Sequence, residues 1–375
     1  MSVFGNSAVN RTIVHTVVQQ LAQQGGGVFV FIFLLKAGVP APLVLCVIAG
    51  MVACRFVMRP AVLPIARSLG LRRTLILGTI LEALIFLMLP LVHGPGLPLL
   101  AVILVGAGGS VVYWTCYHAY FAVVGDDEHR GGQVGLREAL SALAGVAAPV
   151  LGGFALANAG PTVAFGAAAL VQAAAALPLV GAPEVEIAHD AQGGFRAAWA
   201  GAVLMATDGW FAAAFHYVWQ IALFLSLVER YASFGGAMAL AGLAGAAGSV
   251  LVGRLIDLGR GRISVLLAYG VGAGVVTLRA LSFGHPAAAV AANAAGAITA
   301  ALLIPTLMTR VYSLAKQSPC PLRFNIATEA GWDIGCGAGC LSAAALLAFG
   351  GSLAPAILLG LVGAGAAAVL LLRSY

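Results

Sequence analysis

Four glutamines in the first apolar stretch have side chains that could bind a polar solute. They form two pairs with a spacing of four residues, which places each pair on one side of a helix. The pairs are Gln19/Gln23 and Gln20/Gln24. Amides that face lipid are costly, so we expect these to face the protein interior. There they would line a cavity, our preferred interpretation, or bond to neighbouring helices. The glycines at 25–27 allow the helix to bend or unwind.

A second group combines aromatic rings with one imidazole. Tyr113, Trp114, Tyr117 and His118 recur at helical spacing and predict an aromatic face. Such a face could bind the same solute from another helix. The alternative is an aromatic belt at the membrane surface, and for His118 both interpretations stay open.

One acid lies deep in an apolar stretch. Asp208 is about 17 Å from the nearer end at 1.5 Å per residue, which is close to the membrane midplane. A permanently charged carboxylate is expensive there, so we predict that Asp208 gains and loses a proton. A structural ion pair or hydrogen bond is the alternative. Trp210 and His216 lie nearby on the same stretch and could help to bind a solute.

A second acidic pair lies near the C-terminus. Glu329 and Asp333 are four residues apart, and Arg310 lies in the preceding apolar stretch. Glu138 matches Glu329 at the corresponding place in the first half of the chain. Repetition in both halves indicates a shared architectural task, for which we suggest charge pairing with basic loops. Asp333 has no acidic counterpart in the first half and is therefore the second candidate proton site.

These polar residues are exceptional because the chain is otherwise apolar. Of its 375 residues, 61% are hydrophobic and 9% are charged, whereas a soluble domain has about 25% charged residues. Apolar runs recur at about 20 residues, the length of a helix that crosses a bilayer. Lipid forces backbone groups to bond within a helix, so we predict an all-α integral membrane protein. The net charge of +6 does not indicate nucleic-acid binding, because the cations lie between the apolar runs.

The apolar runs predict twelve transmembrane helices. Their approximate bounds are 10–35, 41–58, 74–92, 97–124, 133–157, 161–181, 197–228, 234–256, 263–283, 286–314, 326–349 and 353–372. All but three of the 19 Lys and Arg residues fall on one side of this arrangement, the exceptions being Lys36, Arg230 and Arg279. Cytoplasmic loops carry the excess of Lys and Arg, so both termini are expected in the cytoplasm.

The longest polar connection, 182–195, divides the chain into two halves. We expect a six-helix half at 1–181, a cytoplasmic linker, and a second six-helix half at 196–375. The halves share a feature at similar offsets, a glycine-rich basic turn between two apolar runs. This repetition predicts two pseudo-symmetric copies of one membrane unit.

The turn in the second half is Gly253-x-x-x-Asp257 followed by Gly259, Arg260 and Arg262. It resembles the loop between the second and third helices of each half in the major facilitator superfamily. The copy in the first half keeps Gly70, Arg72 and Arg73, with Ala66 or Arg67 in place of the acid.

This resemblance implies the superfamily fold, with two halves that rock around a central cavity lined by the first, fourth, seventh and tenth helices. It assigns gating to the loop motifs and to the nearby charges. That set is Gly70, Arg72, Arg73, Glu138, Gly253, Asp257, Arg262, Arg310 and Glu329. The third helix is peripheral in the family, so Glu82, deep in that helix, is expected to form a structural pair.

The function expected from these features is secondary active transport of a small amphipathic or cationic organic solute. Coupling to protons through Asp208 or Asp333, with export in exchange for protons, is the preferred form. The alternatives are an uptake symporter for a metabolite and a non-transporting receptor or assembly factor on the same fold. A metal-ion carrier using His15, His118, His216 and Asp208 is disfavoured, because no tight ligand spacing is present.

The sequence contains no strong enzyme signature, such as a nucleophile elbow or a phosphate loop. We therefore expect a transporter and not an enzyme, with no cofactor and no resident metal. The expected partners are the lipid bilayer, the solute and protons, without nucleic acid. We expect a monomer in a bacterial cytoplasmic membrane.

Overall fold

The chain is helical throughout the part that the structure describes. The computed structural model describes residues 6–124, 130–187, 193–256 and 261–374. Across these four ranges it has helices and no β-strand. The prediction of an all-α protein is confirmed for them.

The helices before the linker follow one another with short connections. They are α1 (Ser7–Gly25), α2 (Val30–Lys36), α3 (Ala41–Met58), α4 (Val62–Leu69), α5 (Leu71–Met88), α6 (Leu97–Val124), α7 (Arg130–Asn158), α8 (Pro161–Ala174) and α9 (Leu177–Val180). Those after the linker are α10 (Gly194–Ala197), α11 (Trp199–Ala212), α12 (Trp219–Ser226), α13 (Tyr231–Ile256), α14 (Gly261–Ser282), α15 (Pro286–Lys316), α16 (Pro321–Ala348), α17 (Leu353–Leu358) and α18 (Gly360–Leu372).

Nine helical stretches within the described ranges are long and apolar enough to cross a membrane. They are Ser7–Lys36, Ala41–Leu69, Leu71–Leu91, Leu97–Phe121, Pro161–Val180, Arg262–Ser282, Pro286–Met308, Pro321–Ala348 and Leu353–Leu372. The other three predicted spans correspond to α7, to α11 with α12, and to α13, which are also helical. The protein therefore spans the membrane several times, and the count of twelve stays a prediction.

The first membrane segment changes its helical form at the three glycines. Helix α1 ends at Gly25, a 3₁₀ turn follows at Gly27–Phe29, and α2 continues the segment. Gly26 packs closely against α8, since a Cβ at this position would lie 2.6 Å from the Cβ of Ala168. The interruption that the glycine run predicts is present in the structure.

The seventh predicted span contains a π-helical turn, Ala213–Val218, between α11 and α12. A π turn disturbs the regular backbone hydrogen bonding of an α-helix. Arg279 of α14 lies beside this turn, and its Nη1 donates to the Phe215 carbonyl at 2.6 Å. Its guanidinium also lies over the rings of Phe215 and Trp219, with its central carbon 4.0 and 4.9 Å from their centroids. Arg279 thus fixes the π turn from a neighbouring helix.

The most extensive contacts between the halves of the chain are those of α3 with α16 and of α7 with α13. The second pair makes backbone contact at glycines. A Cβ on Gly235 of α13 would overlap the Pro149 carbonyl oxygen, and one on Gly242 would lie 2.7 Å from the Gly145 carbonyl oxygen. Small residues permit such close helix approach in lipid, where packing replaces the hydrophobic effect between helices.

We predict that Gly235→Ala destabilises the contact between the halves. The added methyl group meets backbone that cannot move aside as a side chain could, and overpacking of this kind costs about 1–3 kcal/mol. Thermal unfolding of the purified protein in detergent measures the effect as a lowered Tm.

The matched control is Gly236→Ala, because a Cβ at Gly236 has nothing within 4 Å. Alanine favours a helix over glycine by about 0.5–1 kcal/mol, so this variant should be neutral or slightly stabilised. Equal Tm values for the two variants would contradict the proposed backbone contact at Gly235.

Candidate functional site

Four charged side chains cross from one half of the protein to the other and form what we name the charge bridge. They are Arg55 and Arg59 in the first half, and Glu329 and Asp333 on α16. Arg55 Nε lies 3.2 Å from Asp333 Oδ1, and Arg55 Nη2 lies 3.3 Å from Glu329 Oε2. Arg59 Nη2 donates to Asp333 Oδ2. Both pairs have a spacing of four residues, so each pair shares one helix face.

The charge bridge is removed from solvent. Arg59 is 1% exposed and Asp333 is 2% exposed. A buried charge is tolerated when it is paired and hydrogen-bonded. Arg59 meets this condition with a further bond, from its Nη1 to Thr115 Oγ1 at 3.0 Å. Arg55, Arg59 and Asp333 can therefore be buried as charges only while α3 and α16 stay aligned.

Asp208 is connected to the charge bridge through an indole. Trp332 Nε1 donates to Asp208 Oδ2 at 3.1 Å, and the Arg55 guanidinium lies 5.5 Å from the Trp332 ring centroid. No cation lies within ion-pair distance of Asp208 in the described part of the chain. The carboxyl of Asp208 is thus bound by a neutral donor, whereas that of Asp333 is held by two guanidinium groups.

A cavity of about 180 Å³ lies next to the charge bridge, with Arg55 in its wall. Most of its wall belongs to the first half, and Tyr217 comes from the second. The lining residues are Gln23, Gly27, Val30, Phe31, Ile48, Met51, Val52, Arg55, Glu82, Ile85, Phe86, Gly106, Ser110, Trp114 and Tyr217. The wall therefore combines apolar and aromatic surface with an amide, a hydroxyl, a carboxyl and a guanidinium.

Aromatic contacts join the halves towards the connection between α2 and α3, which lies at the opposite end of α3 from Arg55 and Arg59. Phe31 packs edge-on against Tyr217, with ring centroids 5.5 Å apart. Phe29 packs against Phe234 at 5.6 Å and against Tyr231 at 6.3 Å. The cavity thus has an ionic contact between the halves on one side and aromatic contacts on the other.

Glu82 contributes the carboxyl of the cavity wall and is 5% exposed. Gln172 Nε2 of α8 donates to Glu82 Oε2 at 3.0 Å, and Gln23 Nε2 approaches Gln172 Oε1 at 3.4 Å. The Gln19 side chain lies beside the same carboxyl. It is 1% exposed, and apart from this approach to Glu82 its two amide atoms have no hydrogen-bond partner in the described part of the protein.

The position of Glu82 follows from close packing of α5 on α6. A Cβ on Gly109 would lie 2.9 Å from the Glu82 nitrogen, and one on Gly78 would lie 2.6 Å from the Tyr113 nitrogen. The two backbones therefore touch, which brings the Glu82 side chain to the cavity although its helix was expected to be peripheral. The sequence predicted a structural pair for Glu82. Within the described ranges its hydrogen-bond partner is the Gln172 amide, and no ion pair to Glu82 occurs there.

The aromatic group of α6 is divided between the cavity and the neighbouring helix α1. Trp114 lines the cavity, and His118 stacks on it with ring centroids 5.7 Å apart. Tyr113 and Tyr117 are buried against α1 instead. Their hydroxyl groups bond to His15 Nε2 at 3.1 Å and to Thr16 Oγ1 at 3.0 Å.

The amides and rings predicted on the first and seventh spans are also divided. Gln23 lines the cavity, while Gln20 and Gln24 are half-buried and do not line it. Trp210 Nε1 donates to the Leu359 carbonyl at 2.9 Å, and His216 is exposed and packs edge-on against Phe215.

The histidines do not assemble a metal site in the part of the chain that the structure describes. His15 is bound by the Ala175 carbonyl at 2.7 Å as well as by Tyr113. No group of three or more His, Cys, Asp or Glu side chains suited to a metal ion occurs among the described residues.

The first loop motif binds the linker. Gly70 has φ of +89°, a conformation that favours glycine. The Arg72 backbone N–H donates to Glu184 Oε1 at 2.7 Å, and its Nε lies 3.3 Å from Oε2. Arg73 Nε lies 3.9 Å from the same carboxylate. This motif therefore attaches 182–187 to the first half.

The other gating candidates lie in the second half and in α7. Arg262 is exposed on α14, and Arg310 is half-buried on α15. Gly253 lies on α13, and Glu138 lies on α7 with its side chain outside the described part. Asp257 lies outside the described residues altogether.

Several residues of the site were not among those predicted from the sequence. Arg55 and Arg59 were counted only as cytoplasmic cations, although their spacing of four matches that of Glu329 and Asp333. That match was an available signal for two facing pairs. Gln172 and Tyr217 carry no pattern of their own, and only the packing of α8 and of the π turn near the cavity identifies them.

The chain is a bundle of membrane helices with a small polar-lined cavity beside the contacts between its two halves. These features define its class as a membrane transporter. The family model described as Major Facilitator Superfamily matches residues 16–319. The chain belongs to this superfamily, so the resemblance seen in the loop motifs is confirmed. Membership of this family also confirms the expectation that the protein is a transporter and not an enzyme.

Solved structures support the same fold. One is a POT family transporter in complex with a thioalcohol conjugated peptide, with a TM-score of 0.74 and 12% identity over 98% of this chain and 96% of that chain. Another is a POT family transporter in complex with 5-aminolevulinic acid, with a TM-score of 0.74 and 11% identity over the same shares. No curated protein matches the chain in sequence.

We predict that Asp333→Asn strongly destabilises the conformation described here. Removal of one partner from a buried ion pair leaves uncompensated charge, which costs on the order of 3–5 kcal/mol. The Tm of the purified variant in detergent, followed by tryptophan fluorescence, should fall clearly.

The control is Glu229→Gln, which removes the exposed pair between Glu229 and Lys36 at 3.8 Å. Exposed pairs contribute about 0–1 kcal/mol, so little change in Tm is expected. Similar Tm values for both variants would show that the charge bridge does not stabilise this conformation.

Proposed function

We propose that the protein is a secondary active transporter that moves a small organic solute by alternating access. One observation carries the proposal: the cavity lies between an ionic contact and an aromatic contact, and each contact joins the two halves. Opening one contact while the other stays closed would expose the cavity to one side of the membrane at a time.

In this proposal the charge bridge closes the cytoplasmic side. The excess of Lys and Arg on the linker side favours that orientation, with both termini inside and twelve spans in two halves of six. The bridge must separate when the cytoplasmic side opens, and its four charges then meet water or new partners. The aromatic contacts around Phe31 and Tyr217 close the opposite side in the same way.

The solute is proposed to be small, organic and amphipathic. A wall of amide, aromatic and apolar groups can hydrogen-bond a polar end and shelter an apolar end. The POT family transporters with the same fold were crystallised with a peptide conjugate and with 5-aminolevulinic acid, which are also small organic molecules. We propose export in exchange for protons, by a monomer in a bacterial cytoplasmic membrane.

Asp208 is the proposed proton carrier, and Asp333 is the second candidate. Asp333 contacts two guanidinium groups, which favour its charged form and suit it to gating. Asp208 has a neutral indole donor instead. Glu329 on α16 and Tyr269 on α14 are the titratable groups close enough to interact with it. Protonation of Asp208 could therefore change how Trp332 and the adjacent charge bridge are held.

We predict that Glu329→Gln increases access to the cavity from the cytoplasmic side. Its loss removes one partner of Arg55 and weakens the contact that closes this side. Gln23→Cys, in a protein whose six native cysteines are replaced, places a thiol in the cavity wall. A membrane-impermeant maleimide applied to inside-out and right-side-out vesicles measures access from each side.

The control for this experiment is Glu186→Gln, an exposed linker carboxylate outside the charge bridge. It should leave the labelling ratio of the two vesicle types unchanged. Labelling of Gln23→Cys from a single side in every variant would refute alternating access and would favour a receptor on the transporter fold.

We further predict that Asp208→Asn removes the pH dependence of this labelling ratio. Asparagine keeps the size and can still accept the Trp332 hydrogen bond, but it does not titrate. The measurement compares the ratio at several pH values with and without the substitution. If the variant keeps the pH dependence of the parent protein, Asp208 is not the proton carrier. The role then belongs to Asp333, or proton coupling is excluded.

A further inference from the structure

We infer that Glu82 and the amides around it form a subsite for a protonated amine on the transported solute. This inference deepens the proposed function, and it rests on that proposal for the statement that the solute is transported. It assigns a recognition group to a carboxyl for which the sequence predicts only a structural pair. Three features of the cavity support the inference: its charge balance, its hydrogen-bonding groups and its size.

The charge balance of the cavity favours a cation. Glu82 is 5% exposed and lines the cavity, and no Lys, Arg or His lies within ion-pair distance of it in the described ranges. A buried carboxylate without a counter-charge is unfavourable, even with the hydrogen bond from Gln172. An ammonium group in the cavity would offset that cost.

Arg55, the cation in the same wall, is already bound by the opposite half. Its guanidinium lies 3.2 Å from Asp333 and 3.3 Å from Glu329. It could approach Glu82 or an anionic solute only by leaving these partners, which would break the charge bridge. In the described conformation the group in the wall that lacks its counter-charge is therefore the carboxyl.

The amides near Glu82 supply further acceptors. An ammonium group has three N–H donors and no acceptor. Gln23 lines the cavity, and the buried Gln19 side chain approaches Glu82, while its amide oxygen has no hydrogen-bond donor within the described ranges. Gln172 donates to Glu82 through its nitrogen and holds the carboxyl in place. A carboxylate with amide oxygens around it can satisfy the donors of one ammonium group.

The remainder of the wall defines the other end of the solute. Phe86, Trp114, Phe31 and Tyr217 line the cavity with aromatic surface. Aromatic faces attract cations as well as apolar groups. A cavity of about 150 Å³ holds benzene, so 180 Å³ accommodates one ring with a short amine-bearing chain. The structure thus favours a small aromatic or branched monoamine.

The first experiment uses the unsubstituted protein in detergent at neutral pH. Dicyclohexylcarbodiimide adds to a carboxyl group to give a stable acylurea, which peptide mass spectrometry locates. Benzylamine should reduce the total modification of Glu82, counted as the acylurea plus the benzylamide that the amine forms with the activated carboxyl, at least threefold. Benzyl alcohol and benzenesulfonate, with the same ring but a neutral and an anionic group, should leave this total unchanged.

The second experiment measures binding through stability. Benzylamine should raise the Tm of the unsubstituted protein, because a ligand that binds only the folded state stabilises it. Glu82→Gln should weaken this effect at least tenfold in amine concentration. Glu186→Gln, an exposed carboxylate of the linker, should respond like the unsubstituted protein.

Equal protection by benzyl alcohol or benzenesulfonate, no protection by benzylamine, or an unchanged amine response in Glu82→Gln would each overturn the inference. Labelling of the unsubstituted protein decides the matter even if Glu82→Gln fails to fold. Both experiments measure binding without a membrane potential or flux. Benzylamine binding with one-sided cysteine labelling would therefore refute transport alone, and two-sided labelling without amine binding would refute the subsite alone.

Discussion

The buried ion pair between Arg59 and Asp333 is the interaction on which the other features of the site depend. In a low-dielectric interior the two charges stabilise each other only at short range and with correct geometry. They therefore fix the rotation and the height of α3 against α16. That alignment places Arg55 at the cavity wall and over Trp332, and Trp332 in turn reaches Asp208. One pair of charges thus coordinates residues of both halves.

Close packing of α11 on α16 completes this arrangement. A Cβ on Gly209 would overlap the Trp332 carbonyl oxygen, and one on Gly335 would overlap that of Ala206. Because the helices touch at their backbones, Asp208 and Trp332 are close enough to bond. A bulkier residue at Gly209 would separate the acid from the indole, and the acid would lose its link to the charge bridge.

The sequence was sufficient to predict properties that depend on local composition. Apolar runs predicted membrane helices, the glycines at 25–27 predicted the interruption after α1, and the loop motifs predicted the superfamily. Contacts between distant helices were not predictable in this way. Arg59 and Asp333 are separated by 274 positions in the chain, and helical periodicity identifies the face of each but not its partner.

For the same reason, the sequence did not predict how the aromatic group of α6 is divided between the cavity and α1. Helix α6 is apolar on nearly every side, so the pattern does not show which side faces the cavity. Tyr113 and Tyr117 have hydroxyl groups that need partners, and they find them on α1. Trp114 alone of the three rings reaches the cavity. Arg279 was counted from the sequence only as a cation of the outer side, whereas the structure buries it against a π turn.

The attachment of the linker limits how far the halves can separate on that side. Residues 183–185 are bound to the first half by the Tyr120 hydroxyl, the Arg72 backbone and the Leu71 N–H. Gly194 of α10 packs against Arg323 of the second half. The free length between these anchors is therefore shorter than the linker itself. From Val185 to Gly194 the chain has nine residue steps, and a fully extended chain covers about 3.3–3.6 Å per step. This segment therefore allows its two ends a separation of at most about 30–32 Å, so the covalent chain sets an upper bound on the width of the opening beside it.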